Sequence, residues 1–190
     1  AYLALRARTL LIAGTDRDQN VAAAPCAQSQ RRYLEADVSH TAESVFQMAF
    51  EEIYASDAVT WHLQFHGNAS CPNDVFLSNA VVPAPTTLHA LAANIEAASK
   101  AAAQGGPTLA ADVFDADDDC EARGTDNMQM RFASGLPHAS ICPEASVPAG
   151  PSRFIHVEQS RIARRAAGDP QATRGRNRAV IVAGIQATFP

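Results

Sequence analysis

Arg153-Phe154-Ile155-His156-Val157-Glu158-Gln159-Ser160-Arg161 reads as an apolar strand that turns into an arginine-bearing helix. Strand side chains alternate, so His156 and Glu158 point to one face while Ile155 and Val157 point to the other, into a core. A carboxylate at the C-terminal end of a buried strand lies where open α/β folds place their chemistry. Two other segments carry related features. Trp61-His62-Leu63-Gln64-Phe65-His66-Gly67 reads as a second strand ending in histidine, and Ser39-His40-Thr41-Ala42-Glu43 reads as a helix start with a His-x-x-Glu pair.

Outward from these segments the pattern alternates between strand and helix. Strands are expected over 8–14, 60–66, 75–82, 108–114 and 153–158. Helices are expected over 40–55, with Ser39 as N-cap, and from Thr86 or Thr87 to about Gln104, ended by Gly105-Gly106. A further helix is expected from Ser160, and a last one from Asp169-Pro170, with aspartate as N-cap and proline at the first helical position. Residues 15–38 and 115–151 read as loops. Alternation with short connections predicts α/β architecture: a single domain over residues 1–190 with a mostly parallel sheet flanked by helices. The chain starts at Ala1 and enters structure almost at once, so an upstream segment is expected to be missing.

Composition narrows the classes. With 190 residues, 47% hydrophobic and 18% charged, the chain is long enough for a proper core and reads as globular. Its net charge of −5 gives no argument for a nucleic-acid partner, and no apolar run reaches the roughly 18–20 residues of a membrane span. The late arginines read as a solvated helix face or a local anion site. Cys26, Cys71, Cys120 and Cys142 form no C-x-x-C pair and lie in loop-like contexts. Two disulfides of undetermined pairing, and export to the periplasm or the extracellular space, are therefore expected. Asn68-Ala69-Ser70 matches a glycosylation acceptor. The acidic run Asp112–Asp119 hints at calcium but fails as an EF-hand loop, because in a frame from Asp115 Cys120 stands at the sixth position, where glycine is needed.

His40 and Glu43, three apart on a first helical turn, can share one metal ion. His66 is followed by Gly67, whose freedom to turn leaves the imidazole at the mouth of the sheet. His62 is a weaker ligand candidate on the same strand face. Glu158, held rigidly at a strand end, suits a general base. Arg131 sits near Asp126 and Asn127 in a polar stretch and offers a fork for a carboxylate.

The combination of Phe65-His66-Gly67, then Asn127 with Arg131, then Val157-Glu158-Gln159-Ser160-Arg161 resembles the N-formylglutamate amidohydrolase and poly-γ-glutamate hydrolase group. These are zinc-dependent α/β hydrolases related to zinc carboxypeptidases, so the resemblance implies a zinc-carboxypeptidase (phosphorylase/hydrolase-like) fold. It implies that His66 binds zinc, that Glu158 acts as base and that an arginine positions a substrate carboxylate. In that group a histidine and a following carboxylate supply the first ligands near the N-terminus, and here the only such pair is His40 and Glu43.

The expected function is metal-dependent hydrolysis of an amide bond in a small acidic or peptide-like substrate. Zinc would be held by His40, Glu43 and His66, with Glu158 as catalytic base and Asn127 and Arg131 or Arg161 binding the substrate. The rival reading is a non-catalytic exported α/β binding domain stabilised by disulfides.

Overall fold

The structure is a computed structural model. It describes residues 3–14, 16–26, 33–56, 61–105, 107–115, 120, 122–142, 152–164 and 171–190, the first four residues of the last range by backbone alone. The expected helix start at Asp169-Pro170 and residues 116–119 of the acidic run lie outside them.

The architecture is α/β, as the alternation predicts. Strands β1 (His62–Gly67), β2 (Val75–Ser78), β3 (Ala111–Val113) and β4 (Phe154–Gln159) form one sheet in the order β1-β4-β2-β3. Six helices accompany them among the described residues: α1 (Val45–Ser56), α2 (Thr86–Ala103), α3 (Met128–Ala133), α4 (His138–Ile141), α5 (Arg161–Arg164) and α6 (Gln171–Thr188). Two of the three strand pairings are parallel. β2 and β3 run together from Val75↔Ala111 to Leu77↔Val113. The bonds from His62 N to Arg153 O and from Asn68 N to Gln159 O, each 2.8 Å, advance in the same sense along β1 and β4. β2 and β4 are antiparallel, with Phe76 opposite Glu158 and Ser78 opposite His156.

The chain forms two compact units that interleave in sequence. The first comprises residues 1–9, 63–123 and 155–190 and holds most of the sheet with α2, α5 and α6. Val75, Leu77, Ile155 and Val157 are all within 1% of full burial. By alternation they share one sheet face, and each burial stabilises by roughly 1.5–3 kcal/mol. α2 buries Leu88, Leu91, Ala92 and Ile95 and packs against β2, β3 and α6. It ends as Gln104 turns left-handed, with Gly105 following at φ +85°. The Cys71–Cys120 disulfide belongs to this unit, and Cys120 packs with Phe76 and Phe114.

The second unit comprises residues 10–62 and 124–154 and holds α1, α3 and α4. Its core joins Ala24, Cys26, Ala42, Met128 and Ile141, with Tyr33, Phe132, Leu136 and Cys142 packed around them. The Cys26–Cys142 disulfide ties this core, and Phe50 sets its ring edge-on to His62, Phe132 and Phe154. Gln47 and Gln129 are fully buried; Gln129 Nε2 donates to Gln47 Oε1 at 2.6 Å and to Val38 O at 3.1 Å.

Three sequence expectations change. Residues 8–14 form no strand, and Leu10 and Ile12 are 53% and 72% exposed. An apolar run specifies a strand only where a sheet edge receives it, and the sheet takes its edges from β1 and β3. α1 starts at Val45, not near His40, because Ser44 Oγ accepts the Gln47 N–H at 3.0 Å. The expected loop 115–151 contains α3 and α4, the first capped by Asn127 Oδ1 accepting from Met130 N at 2.9 Å.

Gly184 lets α6 approach α2 closely. A Cβ built there would lie 2.8 Å from both the backbone N and the Cα of Ile95. Alanine normally favours a helix over glycine by about 1 kcal/mol. Here the helices must part, and overpacking costs about 1–3 kcal/mol. Gly184→Ala is therefore expected to lower Tm by several degrees in a thermal melt; a raised Tm would show that the helices part freely.

Candidate metal centre

His66 stands near the end of β1, next to Gly67. His156 and Glu158 stand two apart on β4, so their side chains share a sheet face with Ser78 and Phe76 across the antiparallel pairing. His156 and Glu158 are 4% and 9% exposed. The rings of His66 and His156 lie 4.4 Å apart between centroids, tilted by 51°. His156 Nε2 lies 3.5 Å from Glu158 Oε1. One ligand-type atom from each of the three residues falls within 4.8 Å of the others, and this is the one such group of three or more His, Cys, Asp or Glu among the described residues. Ligand atoms placed tetrahedrally about 2 Å from a zinc ion are roughly 3.3 Å apart. The His156–Glu158 pair, at 3.5 Å, is close to that spacing.

Backbone contacts hold the ends of β1 and β4 together. Gln159 O, just beyond Glu158, accepts from Asn68 N at 2.8 Å and from Arg164 Nε at 3.1 Å. The Arg164 guanidinium occupies the space a Cβ of Gly67 would need, so glycine here admits that close approach. Asn68 closes the following turn. Its Oδ1 accepts from Ser70 N at 2.6 Å, Ser70 Oγ at 3.0 Å and Cys71 N at 3.1 Å, while its Nδ2 donates to Cys71 Sγ at 2.7 Å. With its amide so engaged and 9% exposed, Asn68 does not present the glycosylation acceptor that the tripeptide suggests.

The other expected site residues lie in the second unit or at the surface. His40 precedes α1 and stacks on Tyr33, with ring centroids 3.7 Å apart and planes within 4°. Its Nδ1 lies 3.1 Å from Asp37 Oδ1. Burial pushes the Asp37 carboxyl up, but His40, Arg17 and the Ser39 backbone together outweigh burial and hold it below its ordinary value. Glu43 is largely exposed, 3.7 Å from His138 Nε2. With α1 starting at Val45, the helical spacing that let His40 and Glu43 share an ion is absent. Arg131 is 3% exposed and holds its own unit together. It donates to Thr125 O, Ile141 O and Cys142 O at 2.8 Å each and pairs with Asp126 at 3.0 Å. Asn127 is the α3 cap, and His62 packs against Phe50 and Tyr54. Arg161 is exposed at the start of α5.

Of the expected residues, the structure brings together His66 and Glu158. The third member is His156, which the strand pattern offered as a further ligand or as a group orienting Glu158 and which stood outside the expected zinc set of His40, Glu43 and His66. Its signal was present, because two polar residues at i and i+2 of an apolar strand must share a face.

The second unit also carries a protonation-dependent contact. His138 Nδ1 hydrogen-bonds Glu51 Oε1 at 2.7 Å. That bond raises the His138 pKa above 6.5; burial opposes it, and the charges of Glu51 and Glu43 add to it. A raised folded-state pKa gives stability that is full below about 6.5 and is lost as pH rises through the folded value. Tm is expected to fall with rising pH above about 6.5, and His138→Gln to flatten that slope. Parallel pH profiles for the two proteins would remove the role.

Compared with protein-family models, curated proteins and solved structures, the chain matches none.

Proposed function

We propose that this chain is a zinc-dependent hydrolase that cleaves an amide bond in a small acidic or peptide-like substrate, with His66, His156 and Glu158 as the metal ligands. The convergence of two imidazoles and one carboxylate within 4.8 Å carries the reading. Two histidines and a glutamate are an established catalytic zinc set that leaves the fourth position open. A bound zinc ion would supply Lewis acidity toward the scissile carbonyl.

The chain's own residues do the rest. Glu158 moves from proton acceptor to third ligand, because its Oε1 lies 3.5 Å from the His156 nitrogen. Gly67 keeps the space beside His66 for the Arg164 guanidinium, which is exposed and suited to a substrate carboxylate. The two disulfides favour an oxidising compartment, so the proposal includes export. No helix among the described residues is long and apolar enough to cross a membrane.

A second reading has one observation in its favour. His156 and Glu158 have side chains only 5% and 11% exposed, which suits a metal or polar cluster that stabilises a non-catalytic exported binding domain.

Metal analysis and hydrolysis assays on the oxidised protein separate these readings. The hydrolase predicts about one zinc per chain, cleavage of N-acylglutamates or γ-glutamyl peptides, and a Tm raised by zinc. Glu158→Gln and His156→Ala should lower zinc affinity at least tenfold and abolish cleavage. If Glu158→Gln kept full zinc and lost only cleavage, Glu158 would be the base and not a ligand. Zinc-dependent stabilisation without cleavage favours the binding domain, and a chain that takes up no zinc sinks the metal reading.

A further inference from the structure

We propose that Asn68 and the Cys71–Cys120 disulfide together position His66, so that the metal centre holds its ion tightly only while that disulfide is intact. The inference rests on the zinc reading of His66, His156 and Glu158 and names how that site is regulated.

The contacts form a continuous path within the sheet unit. Two residues beyond His66, the Asn68 N–H is fixed to Gln159 O at 2.8 Å, next to Glu158. The Asn68 side chain then makes four contacts to Ser70 and Cys71, including Nδ2 to Cys71 Sγ at 2.7 Å. Cys71 is bonded to Cys120, with their Cα atoms 4.9 Å apart. Cys120 is 2% exposed and packs with Phe76, which sits directly opposite Glu158 in the sheet. The turn after one ligand is thus anchored beneath the strand beside another. Ligand atoms must be held within about half an ångström for tight coordination. Asn68, Cys71 and Cys120 act on the ion through His66, so they are positioning residues.

The redox step is simple. A dithiol such as dithiothreitol delivers two electrons and two protons; the Sγ–Sγ bond breaks to two thiols, and the dithiol closes to its cyclic disulfide. Without the bond, the 68–71 turn keeps only the Asn68 hydrogen bonds, and His66 gains freedom at its C-terminal side. A chain made in a reducing compartment would then load zinc poorly until it reaches an oxidising one.

Zinc chloride titrated into the full-length oxidised protein by calorimetry tests the coupling. Cys71→Ala/Cys120→Ala is expected to weaken zinc binding about tenfold or more. Asn68→Ala, with both disulfides intact, should weaken it in the same direction. Asn68→Asp keeps the Oδ1 acceptor and should recover most of the loss. Cys26→Ala/Cys142→Ala, in the other unit, should bind as the parent does. Parent affinity in a folded Cys71→Ala/Cys120→Ala protein or in Asn68→Ala overturns the proposal, as do equal losses in both cysteine pairs. If the parent itself takes up no zinc, the metal reading fails separately. Amide hydrogen exchange at residues 66–68 then judges the positioning: faster exchange without Cys71–Cys120 supports it, and unchanged exchange overturns it.

Discussion

Strand β4 is the constraint on which the sheet unit and its candidate site depend. It is hydrogen-bonded on both sides, parallel to β1 and antiparallel to β2, and its first five residues are all buried. Ile155 and Val157 supply one apolar face. On the other, His156 and Glu158 are held where solvent scarcely reaches them. Burying such groups is costly unless they are satisfied by hydrogen bonds, partners or metal. Paired strands keep a fixed register, because a slip of one residue would turn both polar groups into the apolar face and Ile155 and Val157 out of it.

The two units solve their stability problems in parallel ways. Each closes one disulfide within itself, across 116 residues for Cys26–Cys142 and 49 for Cys71–Cys120. Loops of that length give about 4–5 kcal/mol of stabilisation in the chain-entropy account. Each unit also uses polar side chains as internal ties, buried in the case of Arg131 and half-buried in the case of Asp74. Arg131 gathers three backbone carbonyls of the second unit. Burial lowers its pKa while Asp126 pushes it back up, so a cation is kept in the interior by a partner and by carbonyl oxygens. In the sheet unit Asp74 does comparable work, accepting from Ser160 Oγ at 3.0 Å and Ala110 N at 3.1 Å and so tying the start of β2 to the segments beyond β4 and before β3.

Much of this was legible in the residues. Strong local patterns gave the cores of β1, β4, α1 and α2, and the cysteine contexts gave the prospect of two disulfides. The failures have specific causes. Residues 8–14 have strand composition, yet no edge receives them. Ser39 and Ser44 are both chemically able to cap a helix, and only the fold decided that Ser44 does so. Arg131 looked like a substrate fork because a guanidinium beside Asp126 and Asn127 looks the same in sequence whether it faces a ligand or its own backbone carbonyls.

The sequence by itself determined that His156 and Glu158 share a face, because strand geometry alternates side chains whatever surrounds them. It also determined that His66 is followed by a residue able to admit close contact at Gly67. Tertiary structure decided that His66 meets His156 and Glu158, since β1 and β4 are about 90 residues apart in the chain and only strand pairing brings them together. It decided the cysteine pairing as well, because four cysteines allow three connectivities and only folded distances select one. Local rules act over a few residues; a site assembled from distant strands is set by long-range packing that no local pattern encodes.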